Sequence, residues 1–291
     1  MQAATEKVKR LTFWADPVHP VQIKGGITNA NFLVAHRGRK FFVRIGDDIP
    51  VHGVIRFNEL AASKAAAICG LSPDVRHYEK GALVFDFIDA KTFSAEDVRK
   101  PENLGRILQL MRTCHREMPK HVRGPAIMFW VFHVLRDYAH SLKDGESRHL
   151  PILPRLMGIA TDLESAVGPI DVVYGHNDLL PTNIMDDGQR LWLIDWDYAG
   201  FNSPLFDLAN LCSNNEIPAA DEAKLLESYF EKPLKPELNR RYQAMKCASL
   251  LRETMWSMIS EIHSTLDFDY RAYTADYLAR FEKIHADFKQ L

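Results

Sequence analysis

The chain has 291 residues, 46% of them hydrophobic and 25% charged, which suits one large domain or two lobes that share an interface. Its 36 basic and 38 acidic residues are well mixed, so charge gives no reason to expect nucleic acid or a membrane as partner. Four scattered cysteines without a CxxC pair argue against a disulfide framework and a zinc knuckle. No signal peptide or bilayer-spanning stretch is visible, so we expect a cytoplasmic protein.

The first ninety residues predict a small antiparallel sheet with one helix. VQIKGG, NANFLVAHR and RKFFVRIG are short runs rich in β-branched and aromatic residues, separated by turns. The alanine-rich segment RFNELAASKAAAIC predicts a helix after the third strand. Two more strands are predicted in VRHYEKGALVFDFI. We therefore predict an N-terminal lobe over residues 1–88, with a hinge at about residues 84–90.

From residue 94 the pattern is mostly helical, beginning with Ser94 and Asp97 as a capping-box-like pair. Residues 172–200 are the exception, with the short strands IMDD and RLWLID turning at Asp187–Gly188. The predicted class is therefore α+β, with a larger, mostly helical C-terminal lobe over residues 91–291. Helices are predicted over residues 103–117, 127–142, 152–167, 219–230, 237–263 and 269–288.

The most informative segment is GHNDLLPTNI, where Asp178 and Asn183 lie between apolar flanks, and Asp195 ends a predicted strand further on. A single Asp or Asn in a loop is most often a turn residue. Together, however, these three match the needs of phosphoryl transfer: a carboxylate that orients the acceptor hydroxyl, and hard oxygen ligands for Mg²⁺. An Asp-x4-Asn interval followed by a strand-terminal Asp is the arrangement of a kinase catalytic loop. We expect His176 to order this loop.

A kinase also needs a nucleotide site in the first lobe. KGGITNAN places Gly25 and Gly26 at a predicted turn, although Gly-Gly is ordinary in hairpins. Arg44, in the apolar run FFVRIG, is the predicted cation against the phosphates, with Glu59 on the alanine-rich helix as its partner. The alternative is an edge-strand arginine that extends into solvent.

These motifs together resemble the choline/ethanolamine kinase family, whose members have the two-lobed fold of aminoglycoside phosphotransferases and protein kinases. HNDLLPTNI resembles the phosphotransferase loop, and LIDWDYAGFNSPLFDLAN resembles the paired acidic segment that is the specific signal. FFVRIG resembles the strand on which this family has Arg in place of Lys. The resemblance covers most of the chain and implies a small-molecule kinase that uses ATP and Mg²⁺ to phosphorylate a small cationic alcohol, such as choline or ethanolamine.

The resemblance also implies a role for each matching residue. Asp178 would be the catalytic base, Asn183 and Asp195 the Mg²⁺ ligands, and Arg44 the phosphate clamp. His176 and Asp207 would be structural, with Asp197 and Asp207 at family positions that brace the metal loop. A homodimer is one expected assembly. The nucleotide-binding residues would be Gly25, Gly26, Asn29, Arg44, Glu59 and the hinge residues Asp86, Phe87 and Ile88.

The acceptor site is expected on the C-terminal helices, because a quaternary ammonium is best held by aromatic faces and nearby carboxylates. Trp256 lies off the apolar stripe of the helix near residues 241–263, with Glu253 one turn back. An equally simple alternative is that Trp256 packs against another helix. The predicted acceptor-binding residues are Asp178, Asp197, Tyr198, Glu216, Glu253, Trp256, Phe268 and Tyr273.

Two departures from the family pattern concern this acceptor site. The family has two tryptophans three residues apart where this chain has Glu253 and Trp256, and it has an acid where this chain has Asn214. An additional carboxylate at Glu253 would favour a primary ammonium such as ethanolamine, which can donate hydrogen bonds. Other hypotheses are an aminoglycoside or thiamine kinase of the same fold, a catalytically inactive nucleotide-binding module, and a helical interaction protein with an incidental loop motif.

Overall fold

A computed structural model of the chain describes residues 2–23 and 29–291. Strands β1 to β5 form one antiparallel sheet in the order β1-β2-β3-β5-β4, with helix α2 inserted after β3, as the sequence predicts. The elements of this part are α1 (Gln2–Lys9), β1 (Val21–Ile23), β2 (Ala30–His36), β3 (Arg39–Ile45), α2 (Arg56–Ile68), β4 (Val75–Glu79) and β5 (Ala82–Asp86).

Strand β3 sets the direction of Arg44. Its alternate residues Phe41, Val43 and Ile45 are buried in a small core that includes Val8 of α1. Because successive side chains of a strand point to opposite faces, Arg44 lies on the other face of the sheet, toward α2. An apolar strand therefore carries a cation into the interior of the protein.

After β5, the chain passes through residues 87–90 to a larger, mostly helical part with two small sheets, in the orders β6-β8-β9 and β10-β7. The capping box at Ser94 is present as predicted. The elements are β6 (Lys91–Thr92), α3 (Ala95–Arg99), α4 (Pro101–Glu117), α5 (Val131–Asp144), α6 (Leu153–Val167), β7 (Val173–Gly175), β8 (Ile184–Asp186), β9 (Leu191–Leu193), β10 (Gly200–Asn202), α7 (Pro204–Asn214), α8 (Ala219–Phe230), α9 (Pro236–His263) and α10 (Tyr270–Phe288).

Several element predictions differ from the structure. Strands β6, β7 and β10 were not predicted. Helices α1 and α7 were not predicted either, although the N-cap Ser203 followed by Pro204 is a local signal for the start of α7. The helix predicted from residue 127 begins at Val131 instead. Residues 127–129 are extended because Phe129 N donates to Phe201 O and Phe201 N donates to Ile127 O, both at 2.8 Å.

Helix α9 lies at the centre of the helical part and packs against α5, α6, α7 and α10. All of its residues from Cys247 to Ser260 are buried, which includes both Trp256 and Glu253. The helix therefore has no solvent-facing side in this stretch, and its buried polar residues need partners within the protein. Among the described residues, no helix combines the length and apolar composition that crossing a bilayer requires.

Candidate active site

The loop between β7 and β8 is anchored by Asp207 in the first turn of α7. The backbone N–H groups of His176 and Asn177 donate to its two carboxylate oxygens at 2.9 and 2.8 Å. His115 Nε2 contacts the same carboxylate at 2.9 Å. Burial alone would raise the pKa of Asp207, but these hydrogen bonds and the His115 ring lower it. Asp207 is thus an ionised anchor, in the structural position that the sequence predicts.

His176 ties the loop to the segment that follows β9. Its Nδ1 accepts a hydrogen bond from Asp178 N at 3.3 Å, which leaves Nε2–H to donate to Ile194 O at 2.9 Å. The ring is fully buried, and burial lowers its pKa. A neutral imidazole with both nitrogens engaged orders the loop and has no free position for proton transfer.

Asp178 lies beside Asn183, whose Nδ2 donates to Asp178 O at 2.9 Å and to Asp178 Oδ2 at 3.3 Å. Burial raises the pKa of Asp178 to about 8, although Arg252 opposes the shift with its Nη1 at 3.8 Å from Asp178 Oδ1. A carboxylate whose pKa lies near neutral pH suits the role of general base.

Asp195 follows β9 in a left-handed backbone conformation, with φ of 70°. Ile194 N donates to Asn183 O at 3.0 Å, which holds Asn183 next to Asp195. The side-chain nitrogen of Asn183 donates to Asp178, whereas its side-chain oxygen takes no part in these hydrogen bonds. Asn183 and Asp195 therefore offer hard oxygen atoms of the kind that Mg²⁺ prefers.

The described residues contain no cluster of three or more His, Cys, Asp or Glu that could hold a metal. Mg²⁺ commonly takes one or two protein ligands and completes its shell with phosphate oxygens and water.

Arg44 joins the sheet to the segment that carries Asp195. Its Nη1 contacts Glu59 Oε1 at 2.6 Å, Asp195 Oδ1 at 3.0 Å and Asp197 Oδ1 at 3.1 Å. Burial would lower the pKa of Arg44, but these carboxylates raise it well above its usual value. The contact with Glu59 is the one that the sequence predicts, whereas the direct contact with Asp195 was not predicted.

Arg56 is a second buried arginine in this network, which sequence reasoning missed. Its Nη1 donates to Glu59 Oε2 at 2.7 Å and to Asp197 Oδ1 at 2.8 Å, and its Nη2 donates to Asn29 Oδ1 at 2.6 Å. The Arg56–Glu59 spacing in the first turn of α2 is the only local signal for it. The network places Asn29 beside Asp197, while the predicted nucleotide residues Gly25 and Gly26 lie outside the described residues.

Just after β5, the hinge offers a backbone donor at Ile88 that the sheet does not use. Asp86 N donates to Asp74 O at 3.0 Å, and Phe87 N donates to Lys40 O at 3.3 Å. Ile88 N makes no backbone hydrogen bond within the described part of the chain. The Asp86 side chain pairs with Arg39 and Arg76, so the contribution of this segment to a nucleotide would come from its backbone.

Four of the predicted acceptor residues form one aromatic cluster, which we define as Tyr198, Trp256, Phe268 and Tyr273. Trp256 Nε1 donates to the Tyr198 hydroxyl at 3.0 Å, and the Trp256 and Tyr273 rings are 6.3 Å apart. The Phe268 and Tyr273 rings are 5.7 Å apart. Trp256 therefore contacts residues of two other segments. Arg252 connects the cluster to Asp178, with its guanidinium 4.3 Å from the centre of the Tyr198 ring and its Nη1 3.8 Å from Asp178 Oδ1.

The structure places three predicted acceptor residues differently. Glu253 accepts from Arg252 Nη1 at 2.8 Å and from the Tyr273 hydroxyl at 2.8 Å, so both of its oxygens are engaged. The preference for ethanolamine over choline was predicted from an additional carboxylate at Glu253, and this pairing removes that reason. Asp197 lies in the arginine network because two guanidinium groups surround it. Glu216 is exposed after α7, with Arg280 as its ion-pair contact at 3.9 Å.

His52 connects the short helical turn at residues 50–52 to the aromatic cluster. Its ring packs on Trp256 with centroids 5.2 Å apart, and its Nε2 lies 3.2 Å from Ser260 Oγ. Burial, and secondarily Arg252 and His263, lowers the pKa of His52 to about 3. The folded protein therefore holds this histidine neutral.

We expect the folded state to lose stability in acid because of His52. The pKa of His52 is lower in the folded than in the unfolded state, so only the unfolded state takes up a proton as the pH falls below about 6.5. The free energy of unfolding is therefore unaffected by protonation of His52 above about pH 6.5 and decreases as the pH falls toward 3. His52→Gln should reduce the loss in unfolding free energy between pH 7.5 and 5.5 by about 1.4 kcal/mol. Denaturant unfolding at both pH values measures this, with the exposed His19→Gln as control. Equal losses in wild type and His52→Gln would contradict the assignment.

The fold and the site define a two-lobed phosphotransferase of the kinase type. The family model described as choline/ethanolamine kinase matches residues 21–282. The chain therefore belongs to the choline/ethanolamine kinase family, and it is a small-molecule kinase.

Three similar proteins illustrate the range of the family. Protein LicA from Haemophilus influenzae is 25% identical over 84% of this chain and 73% of its own length. An ethanolamine kinase from Drosophila melanogaster is 27% identical over 72% of this chain, which spans about half (48%) of that protein. The crystal structure of a choline/ethanolamine kinase family protein from Mesorhizobium loti has a TM-score of 0.78 at 27% identity, over 97% of this chain and 94% of that chain.

Proposed function

We propose that the protein transfers the γ-phosphate of ATP to the hydroxyl of a small cationic amino-alcohol, of the class that includes choline and ethanolamine. The observation that carries the proposal is the convergence of Asp178, Asn183 and Asp195 with Arg44, which comes from the sheet. Family membership supports the same reaction class.

In the proposed reaction, Asp178 accepts the proton of the acceptor hydroxyl. A bond forms between that oxygen and the γ-phosphorus, the bond from the γ-phosphorus to the β–γ bridging oxygen breaks, and ADP leaves. Such transfers depend on positioning and charge neutralisation more than on covalent help from the protein. Arg44 and the hinge backbone at Ile88 would position the nucleotide, and His176 holds Asp178 in place through its backbone.

Asn183 and Asp195 would hold Mg²⁺, which neutralises charge on the phosphates when it is bound. Asp195 pairs with Arg44 at 3.0 Å. The guanidinium thus offsets the charge of a partly buried carboxylate that is available to a metal. Because Arg44 also bonds Glu59 and Asp197, it remains anchored in the network if Asp195 turns to another cation.

The proposal is tested by ADP release with choline, ethanolamine, thiamine and spectinomycin as candidate acceptors. We expect choline or ethanolamine to have the highest kcat/KM, because the aromatic cluster suits a small ammonium group better than a wide sugar. A tenfold higher kcat/KM with thiamine or spectinomycin would favour the alternative of a thiamine or aminoglycoside kinase of the same fold.

Mg-ATP should stabilise the folded protein in a thermal unfolding experiment. At about one hundred times its dissociation constant, a ligand that binds only the folded state adds about 2.7 kcal/mol. Asp195→Asn is the matched variant, and we expect it to lose most of the magnesium-dependent part of this gain. A wild-type protein without any shift would instead favour the helical interaction protein, whereas a shift without turnover would favour an inactive nucleotide-binding module.

We also place the protein in the cytoplasm. All four cysteines are free in the structure, and three of them are buried. Free thiols persist in a reducing compartment.

A further inference from the structure

We propose that the acceptor amino-alcohol carries a carboxylate, and that Arg252 and Asn214 bind this group. The inference rests on the proposed function, because it concerns the acceptor of that reaction. Arg252 lies on α9, with its guanidinium 4.3 Å from the centre of the Tyr198 ring and its Nη1 3.8 Å from Asp178 Oδ1, and Asn214 is the last residue of α7.

Arg252 is a cation with unused hydrogen-bond donors. Only 1% of the residue is exposed, and its Nη1 contacts Glu253 Oε2 at 2.8 Å. Its Nε and Nη2 are buried and have no hydrogen-bond partner among the described residues. These two nitrogens share one edge of the planar guanidinium, and this edge matches the two oxygens of a carboxylate. Leaving such donors unpaired is costly, so they mark a place where an oxyanion fits.

Asn214 provides a second, independent observation. Both its Oδ1 and its Nδ2 are buried without a hydrogen-bond partner in the described part of the chain. One turn before it on the same face of α7, Asn210 accepts a hydrogen bond from Leu179 N at 2.6 Å and donates to Ser249 Oγ at 3.1 Å. Ser249 lies one turn before Glu253 on α9, so the face of α7 that carries Asn214 is turned toward α9 and the catalytic loop. Asn214 occupies a position at which the family pattern has an acid. This chain therefore has one negative charge fewer in the acceptor site than the family pattern has.

The Arg252 guanidinium occupies one face of the aromatic cluster. Glu253 is neutralised by Arg252, and the Arg252 guanidinium lies 4.3 Å from the centre of the Tyr198 ring. A resident cation therefore already uses this aromatic face. A carboxylate on the acceptor would pair with the free Nε–Nη2 edge of Arg252, while the ammonium would face Trp256 and the remaining rings of the cluster.

The position of Arg252 also suits the reaction. Its Nη1 is 3.8 Å from Asp178 Oδ1, so the free edge of the guanidinium lies within a few bond lengths of the proposed base. An acceptor held by its carboxylate on this edge would bring a hydroxyl one or two carbons away toward Asp178. Small hydroxy-amino acids have this spacing, and L-serine is ethanolamine with a carboxylate on the carbon that bears nitrogen.

Matched acceptors test the inference. ADP release is measured with two pairs, L-serine against ethanolamine and L-carnitine against choline. L-serine is ethanolamine with a carboxylate on the nitrogen-bearing carbon, and L-carnitine is choline with a carboxymethyl group on the hydroxyl-bearing carbon. We expect kcat/KM to be at least tenfold higher for the carboxylated member of one pair. A smaller ratio in both pairs overturns the inference but leaves the proposed function intact. If none of the four releases ADP although Mg-ATP binds, the proposed function fails and the inference fails with it.

Arg252→Lys separates carboxylate recognition from a structural role of Arg252. It retains a cation beside Glu253 but removes the Nε–Nη2 edge that can donate two hydrogen bonds to one carboxylate. We expect the ratio of kcat/KM for the carboxylated acceptor to that for its partner to fall at least tenfold. Arg148→Lys is the control, since Arg148 pairs with Glu261 of the same helix at the surface and should leave the ratio unchanged.

A second variant is available if Arg252→Lys folds poorly. Asn214→Asp adds a negative charge to the same region and should also lower the ratio at least tenfold. An unchanged ratio in either folded variant overturns the inference.

Discussion

Asp178→Asn is expected to lower kcat by about a thousandfold, the middle of the range for removal of a general base. The amide has the shape of the carboxylate but cannot accept the proton of the acceptor hydroxyl. The bond from Asn183 Nδ2 to the backbone oxygen at position 178 does not depend on this side chain, so the loop should keep its conformation. Steady-state ADP release gives kcat, and the thermal shift with Mg-ATP shows that nucleotide binding is retained.

The control for this variant is Asp171→Asn, the same chemical change at an exposed position before β7, which should leave kcat unaltered. If Asp178→Asn retains kcat within tenfold of the wild-type value, Asp178 is not the base.

Arg44→Met is expected to lower the unfolding free energy by about 3–5 kcal/mol, because it leaves buried carboxylates without their partner. Glu59, Asp195 and Asp197 all contact Arg44 Nη1 within 3.1 Å. Arg56 remains to pair with two of them, but Asp195 loses its close cation. The variant should also lose the phosphate contact, so the stabilisation by Mg-ATP should fall at the same time.

Arg37→Met is the control for this second prediction, because Arg37 pairs with Asp16 at an exposed surface and such pairs contribute at most about 1 kcal/mol. Denaturant unfolding compares the two variants. A loss below about 1 kcal/mol for Arg44→Met would show that the network is not an important source of stability. Arg44→Lys, which keeps the charge, should lie between wild type and Arg44→Met in stability.

The proximity of Asp178, Asn183 and Asp195 can be predicted from the sequence because the signals for it are local. Asp178 and Asn183 are separated by a fixed short interval, and Asp195 follows a strand that an apolar run defines. The Arg44–Glu59 contact can also be predicted from the sequence, because the strand and the helix are consecutive and their polar residues differ from their apolar neighbours. Side-chain caps at Ser94, Ser203 and Asp269 mark the starts of α3, α7 and α10, with Ser94 as the clearest case.

The acceptor region is harder to predict because its contacts join distant parts of the chain. Reasoning from helical spacing places Glu253 beside Trp256 but does not show that the long side chain of Arg252 turns toward the same carboxylate. The contact between Arg252 and Asp178 connects α9 to the catalytic loop, and no local pattern indicates it. Arg56 was missed for the same reason, since its partners Asn29 and Asp197 lie in other segments.

The most direct test of phosphoryl transfer to an amino-alcohol is ³¹P NMR of a reaction that contains the protein, Mg-ATP and one of the candidate amino-alcohols. We expect the γ-phosphate signal of ATP to be replaced by equimolar signals of ADP and a phosphomonoester, and we expect Asp178→Asn to abolish this change on the same timescale. Conversion of ATP to ADP and inorganic phosphate alone, unaffected by every acceptor, would contradict a phosphotransferase that acts on these alcohols.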